Sequence, residues 1–386
     1  MIDIKKDLIT AKEYKDEGNY RQALNFFGKA YNANPEAFKE IQRQDYGWTI
    51  YHSKVQNFKN EEELLRYAEL ITEITSQLDL NEVRNCPYTA AVFRVLSHFD
   101  RKDYYAMLPW IEKLDYALLD EKPYYKHNRL NKSKKEKFLD WASRAYLKTG
   151  ELEKCMKVSK IGLNTFETFF DDGDTWFKWR IAKCLMELNQ FRQSLEYYLE
   201  VIEVRHDWYM YRDIAQMYFA LGKKYVALDY ICPAVLSNES NSQKANLYYL
   251  CYKVFKSFNP EMALKHAQLF KLLMSEKGYS VPFEIEELNI DESKLNKRQL
   301  EDEIHALWVQ YKFKDQKKQH GKVVNFNNVK KFGFIKSEND ESIFFHMSEF
   351  YGDNVYVGQL VSFYTEENFD NVKNEKSIKA VNVRGE

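Results

Sequence analysis

The sequence predicts a multidomain α + β protein, with about seven helical hairpins stacked as an α-solenoid and then a small β domain at the C-terminus. Three observations predict it. A hairpin frame of small, aromatic and glycine residues recurs along residues 1–280, and its equivalent positions Ala182 and Ala215 lie 33 residues apart. The composition suits helices packed by aromatic side chains, with 13 Gly and 7 Pro against 28 Tyr and 26 Phe. Near residue 320 the periodicity changes to two, the spacing at which alternate side chains share one face of a strand. Phe332-Gly333-Phe334-Ile335 and Ile343-Phe344-Phe345-His346 are the clearest such runs.

The 386 residues are enough for two or three domains. They divide into helical repeats over 1–280, a connecting segment over 281–319 and the β domain over 320–386. Apolar residues make up 45%, charged residues 30%, and the formal net charge is −1. That balance predicts a soluble globular chain and argues against one that coats nucleic acid by charge alone. No apolar run reaches the length of a membrane span. Met1-Ile2-Asp3-Ile4-Lys5-Lys6-Asp7 lacks the basic-then-apolar pattern of a signal peptide. Cys86, Cys155, Cys184, Cys232 and Cys251 are scattered and odd in number. They form no CxxC pair, so the expectation is a cytoplasmic chain without disulfides, zinc or a cofactor.

The first hairpin shows the frame best. Ala11 and Tyr14 fall on one helix, Gly18-Asn19-Tyr20 makes the turn, Ala23, Phe27 and Ala30 fall on the second helix, and Pro35 ends it. Small residues let two antiparallel helices approach, and the rings fill the space around them. The spacing resembles the tetratricopeptide repeat. Ser143-Tyr146-Gly150-Cys155 is a further copy, followed by Ala182-Leu185-Phe191-Ser194-Tyr198, Ala215-Tyr218-Gly222-Ala227-Ile231-Ala234 and a looser Cys251-Ala263-Ala267. The 39 residues from Ser143 to Ala182 exceed the period of ~34, so a loop near 166–175 carries the excess. Residues 46–79 and 87–119 supply two degenerate hairpins. The resemblance implies a groove that recruits a protein partner.

One stretch within the repeats is strongly basic, running from Lys122 to Lys137 with Tyr124 and Tyr125 inside it. It reads as an exposed loop entering a helix, and Lys126, Arg129, Lys132, Lys134 and Lys135 form a candidate accessory patch for a nucleic-acid backbone. The alternative, a merely solvated loop, is the commoner fate of a charge run. In the connecting segment, Asn296 or Asp291 is placed to cap a helix whose apolar stripe is Leu300, Ile304, Leu307, Trp308 and Tyr311. That stripe predicts a cap on the end of the solenoid. The polar residues 312–320 then read as a mobile tether.

In the β domain, Phe332 and Phe334 share a face, as do Phe344 and His346, while Ile335, Ile343 and Phe345 point the other way into a core. Aromatic rings on the outside of a small sheet are costly to leave wet, and unpaired bases are their usual partners. The stretch resembles the cold-shock domain. Gly321-Lys322-Val323 with Phe326-Asn327 resembles its first strand, Lys330-Lys331-Phe332-Gly333-Phe334-Ile335 its first ribonucleoprotein motif and Ile343-Phe344-Phe345-His346-Met347 its second. Val357–Phe363 and Ala380–Arg384 resemble the fourth and last strands. The resemblance implies a small five-stranded antiparallel β-barrel of the OB type that binds single-stranded RNA or DNA. It also implies the site residues Phe326, Lys330, Phe332, Phe334, Phe344 and His346. The chain departs from the family at Asn325, where a Trp is usual, at Lys331 in place of Gly, and at Met347 in place of Phe.

No catalytic motif is present, whether a Gly-rich phosphate loop, HExxH or Gly-x-Ser-x-Gly. Asp171-Asp172-Gly173-Asp174 resembles the start of a calcium loop but lacks the distal Glu, and Arg94 with His98 lie one helical turn apart without the spacing of a nuclease pair. The expectation is a non-enzymatic adaptor, with single-stranded nucleic acid on the aromatic sheet and a protein partner on the repeats. The alternative is a protein-interaction scaffold whose β domain no longer binds nucleic acid.

Overall fold

The computed structural model describes residues 3–126, 129–352, 354–370 and 375–386. The chain divides into two compact units, Met1–His206 and Asp207–Glu386. The N-terminal region is a helical solenoid, and a sheet domain follows it.

The first unit holds five helix pairs among its described residues. They are α1 (Ile4–Asp16) with α2 (Tyr20–Ala33), α3 (Glu40–Ile50) with α4 (Glu61–Ile74), and α5 (Pro87–Phe99) with α6 (Tyr104–Glu112). Next come the two-stranded ribbon β1 (Tyr124–Lys126) and β2 (Arg129–Asn131), then α7 (Lys134–Thr149) with α8 (Leu152–Thr165) and α9 (Gly173–Glu187) with α10 (Phe191–Val204). A wider π turn over Tyr51–Val55 prolongs α3. Five of these helices start where a polar side chain satisfies a free N–H group of the first turn. Asp3, Asn19, Asn60, Asp103 and Ser133 each accept a backbone N–H there. Gly150 ends α7 at φ 81°, a left-handed conformation that a Cβ would oppose. The repeat frame is the contact surface, since Ala11, Ala23, Ala30, Ser143, Cys155, Ala182 and Ser194 are all fully buried. The excess residues between α8 and α9 form the connection over 166–172.

The second unit opens with α11 (Trp208–Ala220), α12 (Lys224–Val235), α13 (Ala245–Phe255) and α14 (Pro260–Ser275), two further pairs. A single turn, α15 (Phe283–Glu286), leads to α16 (Lys297–Lys312). The Asn296 side chain caps α16 by accepting the Gln299 N–H at 3.1 Å. Leu300, Ile304 and Trp308 are buried against α12, α13 and α14, as the apolar stripe requires. The Trp308 indole N–H donates to Nε2 of His266 at 2.9 Å, and Nδ1 of His266 lies 2.7 Å from the Met262 carbonyl. A ring nitrogen facing a carbonyl must carry the proton, so His266 is neutral with the hydrogen on Nδ1. Burial pushes its pKa down to about 4.

The sheet has six strands among the described residues. These are β3 (Gln319–Asn327), β4 (Phe332–Ser337), β5 (Ser342–His346), β6 (Phe350–Tyr351), β7 (Leu360–Asp370) and β8 (Glu375–Gly385), in the order β5-β4-β3-β7-β8-β6. The expected five-stranded antiparallel barrel is therefore corrected to a mixed sheet. Two pairings are parallel, Phe344↔Lys379 between β5 and β8, and Phe350↔Val383 between β6 and β8. The reason is the length of β8, whose eleven residues pair with β7 along one edge and leave the other for β5 and β6. Val323, Ile335, Ile343, Phe345, Val361, Phe363 and Val383 fill its core.

The tether expectation is also corrected. Helix α16 runs to Lys312, β3 begins at Gln319, and Phe313 between them is buried. The Phe313 ring lies face to face with Tyr364 of β7, centroids 4.3 Å apart and planes 4° apart. Val309 and Val381 pack with them, and Lys312 pairs with Glu366. Among the described residues, no helix is long and apolar enough to cross a membrane. All five cysteines are free and buried.

Candidate nucleic-acid interface

Strand β4 places its residues by strict alternation. Gly333 and Ile335 are buried while Phe332 and Phe334 are half-buried on the other face. Strand β5 repeats this, with Ile343 and Phe345 inward and Phe344 and His346 outward. The antiparallel register sets Phe332 across from His346 and Phe334 across from Phe344. Three phenyl rings thus gather on one face. Centroid distances are 6.1 Å for Phe332–Phe334, 5.7 Å for Phe332–Phe344 and 5.9 Å for Phe334–Phe344. Gly333 makes this possible from behind, because a Cβ there would lie 2.5 Å from the Asn325 carbonyl and 2.6 Å from the Phe345 ring.

The turn from β3 to β4 is built by Asn327, whose Oδ1 accepts the N–H of Val329 at 3.0 Å and of Lys330 at 2.9 Å. Lys331 then takes φ 56°, the left-handed conformation that explains why glycine is usual in the family at this point. Lys330 is exposed on the turn and meets no carboxylate among the described residues. His346 is exposed, and its Nδ1 lies 2.9 Å from the Ser348 hydroxyl and accepts the Ser348 N–H at 3.2 Å. This fixes the ring's orientation beside Phe332.

Phe326 does not join this face. Val323 pairs with Ile335 and Asn325 with Phe334, so Val324 is an extra residue in a bulge. A bulge reverses which side each later residue faces. Asn325 therefore lands on the ring-bearing face beside Phe334. Phe326 turns to the core side, stacked on Phe345 at 6.0 Å with planes 14° apart. Sequence reasoning also missed Lys379, which stands beside Phe344 in the parallel register and is held by Glu349 at 3.3 Å. No local signal marks it, since the pairing joins residues 35 positions apart.

Of the candidate accessory basic patch, three lysines are engaged within the chain. The stretch folds as the β1–β2 ribbon entering α7. Lys134 pairs with Asp120 at 3.4 Å, the buried Lys135 with Glu121 at 2.7 Å, and Lys132 with the buried Glu136 at 3.8 Å. Carboxylates directly ahead in the chain and one turn into α7 thus cover these three lysines. The side chains of Lys126 and Arg129, like residues 127 and 128, lie outside the described residues. Arg94 and His98 share the Phe58 ring, Arg94 over its face at 5.0 Å and His98 edge-on at 5.2 Å, while His98 Nε2 lies 3.0 Å from Glu61.

Three comparisons with known proteins bear on this geometry. None of the curated proteins matches the chain. Among solved structures, a tetratricopeptide repeat protein from Parabacteroides merdae is 14% identical, covering 79% of this chain and 98% of its own, with a TM-score of 0.33. The apo form of RapI is 15% identical, covering 81% of this chain and 88% of its own, with a TM-score of 0.42. A human IFIT1 dimer with m7Gppp-AAAA is 14% identical, covering 77% of this chain and 60% of its own, with a TM-score of 0.36. At these scores the likenesses carry no functional weight. The informative comparison is the family model: residues 319–385, the span of β3 to β8, match the 'cold-shock' DNA-binding domain.

Proposed function

We propose that the protein is a nucleic-acid-binding adaptor. Single-stranded RNA or DNA lies along the outer face of β4 and β5, its unpaired bases stacking on Phe332, Phe334 and Phe344 with His346 at the edge. Lys330 meets a phosphate from the turn. The helical repeats recruit a protein partner, and no turnover is needed. The observation that carries this reading is the group of three phenyl rings, 5.7 to 6.1 Å apart, on the face opposite the buried Ile335, Ile343 and Phe345. Three partly wet rings gathered on one face, Phe332 and Phe344 tilted by 35° and Phe334 nearly perpendicular to both, expose apolar surface that base stacking covers at ~1–3 kcal/mol per base. The family match over residues 319–385 supports the same reading.

The test is fluorescence anisotropy of the full chain with labelled single-stranded RNA, single-stranded DNA and duplex, repeated with Phe332→Ala plus Phe344→Ala. Single-strand binding that the double substitution abolishes is expected. Unchanged affinity in the double variant would falsify the stacking mechanism.

A second reading has its own observation. Asn325 stands beside Phe334 on the ring-bearing face, where the family usually supplies a Trp, and Met347 follows His346 in place of Phe. On that reading the sheet domain is an interaction scaffold that has lost nucleic-acid binding. It requires that neither RNA nor DNA binds the full chain and that a protein partner co-purifies whether or not nuclease is added.

A further inference from the structure

The first unit contains a cavity of ≈ 550 Å³ between the ribbon β1–β2 and helices α7 and α9. Its lining has two characters at once. Six cationic side chains face three carboxylates, and three tryptophans line it with them.

Part of that charge is neutralised internally. Arg144 spans Asp100 at 2.9 Å and Asp140, while the buried Arg180 reaches Asp140 at 2.6 Å and the Ser143 hydroxyl at 3.1 Å. Burial works against ionisation of Asp140, but the two arginines outweigh it and hold its carboxyl below the usual range. This network fixes the floor. Arg101 and Lys148 are different: both are exposed, and neither meets a carboxylate among the described residues. Against them stands the exposed Asp171, so the cavity remains net positive.

The aromatic part has a defined shape. Trp176 and Trp179 are three residues apart on α9 and half-buried, with centroids 6.0 Å apart and planes at 85°. One ring can therefore present its face to a flat group while the other presents its edge. The Arg205 guanidinium stands over the Trp176 ring at 5.2 Å, and Lys137 over Trp141 at 4.6 Å.

We propose that this cavity binds a nucleotide, with the base stacked against Trp176 and Trp179 and the phosphate drawn to Arg101 and Lys148. An acidic peptide would use the cations and leave the flat indoles without a partner. An apolar peptide would use the indoles and strand the cations. A nucleobase joined to a phosphate uses both, and a volume of ≈ 550 Å³ falls within the range of small-ligand pockets. The same chemistry comes from two sources, a free nucleotide or one residue of a single strand. The site lies within the first unit and does not rest on the reading of the C-terminal sheet.

The experiment uses the full chain carrying Phe332→Ala and Phe344→Ala, so that the sheet does not contribute. Tryptophan emission is followed while adenosine and guanosine 5′-monophosphate, and separately a 5′-phosphorylated single-stranded oligonucleotide, are titrated in. Saturable quenching by the mononucleotides identifies a free-nucleotide site; quenching by the oligonucleotide alone identifies a strand site, and either upholds the proposal. Trp176→Leu should weaken binding about fivefold to a hundredfold. Arg101→Gln with Lys148→Gln, both at exposed positions, should weaken it about tenfold or more. The proposal is overturned if neither probe binds, if binding is unchanged in both variants, or if a poly-glutamate peptide binds where nucleotides do not.

Discussion

Phe332 and Phe344 lie on neighbouring strands with their ring centroids 5.7 Å apart and their planes tilted by 35°. They are close enough to act as one surface and tilted enough to receive two successive bases. Either ring alone, replaced by Ala, should lower single-strand affinity by roughly five- to a hundredfold, from ~1–3 kcal/mol per stacked base. Anisotropy titrations of the two single variants against the double variant measure how far the rings act together. A pair that shares a base will lose less in the double variant than the two singles combined.

Asn325 offers a gain-of-function test. It stands beside Phe334 in register, on the outer face. Asn325→Trp should add an indole to the row of rings and tighten single-strand binding by about fivefold to a hundredfold, at ~1–3 kcal/mol per base. A titration in which N325W binds no better than the parent chain would show that the bases do not pass this position.

Salt dependence separates stacking from charge. Lys330 is the one cation assigned to phosphate, so few counterions are released on binding. A plot of log K against log salt should have a slope of about −1 to −2, given roughly −0.7 per phosphate contacted on a single strand. A slope steeper than about −4 would mean that basic residues away from the rings dominate.

The buried pair Trp308 and His266 predicts an acid sensitivity. The unfolded histidine takes up a proton near pH ~6.5, whereas the folded one does so only near about 4. Between these values the unfolded state binds more protons. The stability contributed by neutral His266 is therefore complete above pH ~6.5 and is lost as the pH falls towards 4, to the extent of about 3 kcal/mol. Urea unfolding from pH 7.5 down to 4.5 should show this loss, and His266→Gln should flatten the pH slope whatever it does to absolute stability. Trp308→Phe removes the donor to Nε2 and should cost about 1–3 kcal/mol at neutral pH.

Phe313→Ala tests the anchorage of the sheet domain. Removing a buried ring costs about 3–5 kcal/mol in a packed site. Its only face-to-face partner among the described residues is Tyr364. The expected result is faster proteolytic cleavage between Lys312 and Gln319, while Phe332, Phe334 and Phe344 still bind single strands. Cleavage at the parental rate would mean that Val309, Val381 and the Lys312–Glu366 pair suffice.

Patterns that depend on neighbours within one element were legible from the sequence. The small residues Ala11, Ala23 and Ala30 marked the helix seams, the alternation around Phe332 and Phe344 marked the ring-bearing face, and Asn296 or Asp291 marked the start of α16, of which Asn296 is the cap. Relationships between distant segments were not legible. The bulge at Val324 reverses the side that Phe326 faces, and nothing in Val323-Val324-Asn325 announces it. The Phe344↔Lys379 pairing depends on how the sheet returns to its own edge. For the basic stretch the signal was present, because Asp120 and Glu121 stand just ahead of it, but only the fold shows that Lys134 and Lys135 turn back to meet them. The cavity beside Trp176 needs α7 and α9 side by side, and its residues are scattered from 100 to 180.

The stack of Phe313 on Tyr364 has a mechanical consequence. On the proposed function, a strand held by the rings of β4 and β5 would exert its pull on the sheet, and six residues between Lys312 and Gln319 would normally absorb it as slack. Here the load bypasses that slack. It passes from β7 through two parallel rings into α16, and from Trp308 into His266 and α14. On that reading the sheet domain is a handle on α16 and α14, and tension on a bound strand reaches the helices themselves.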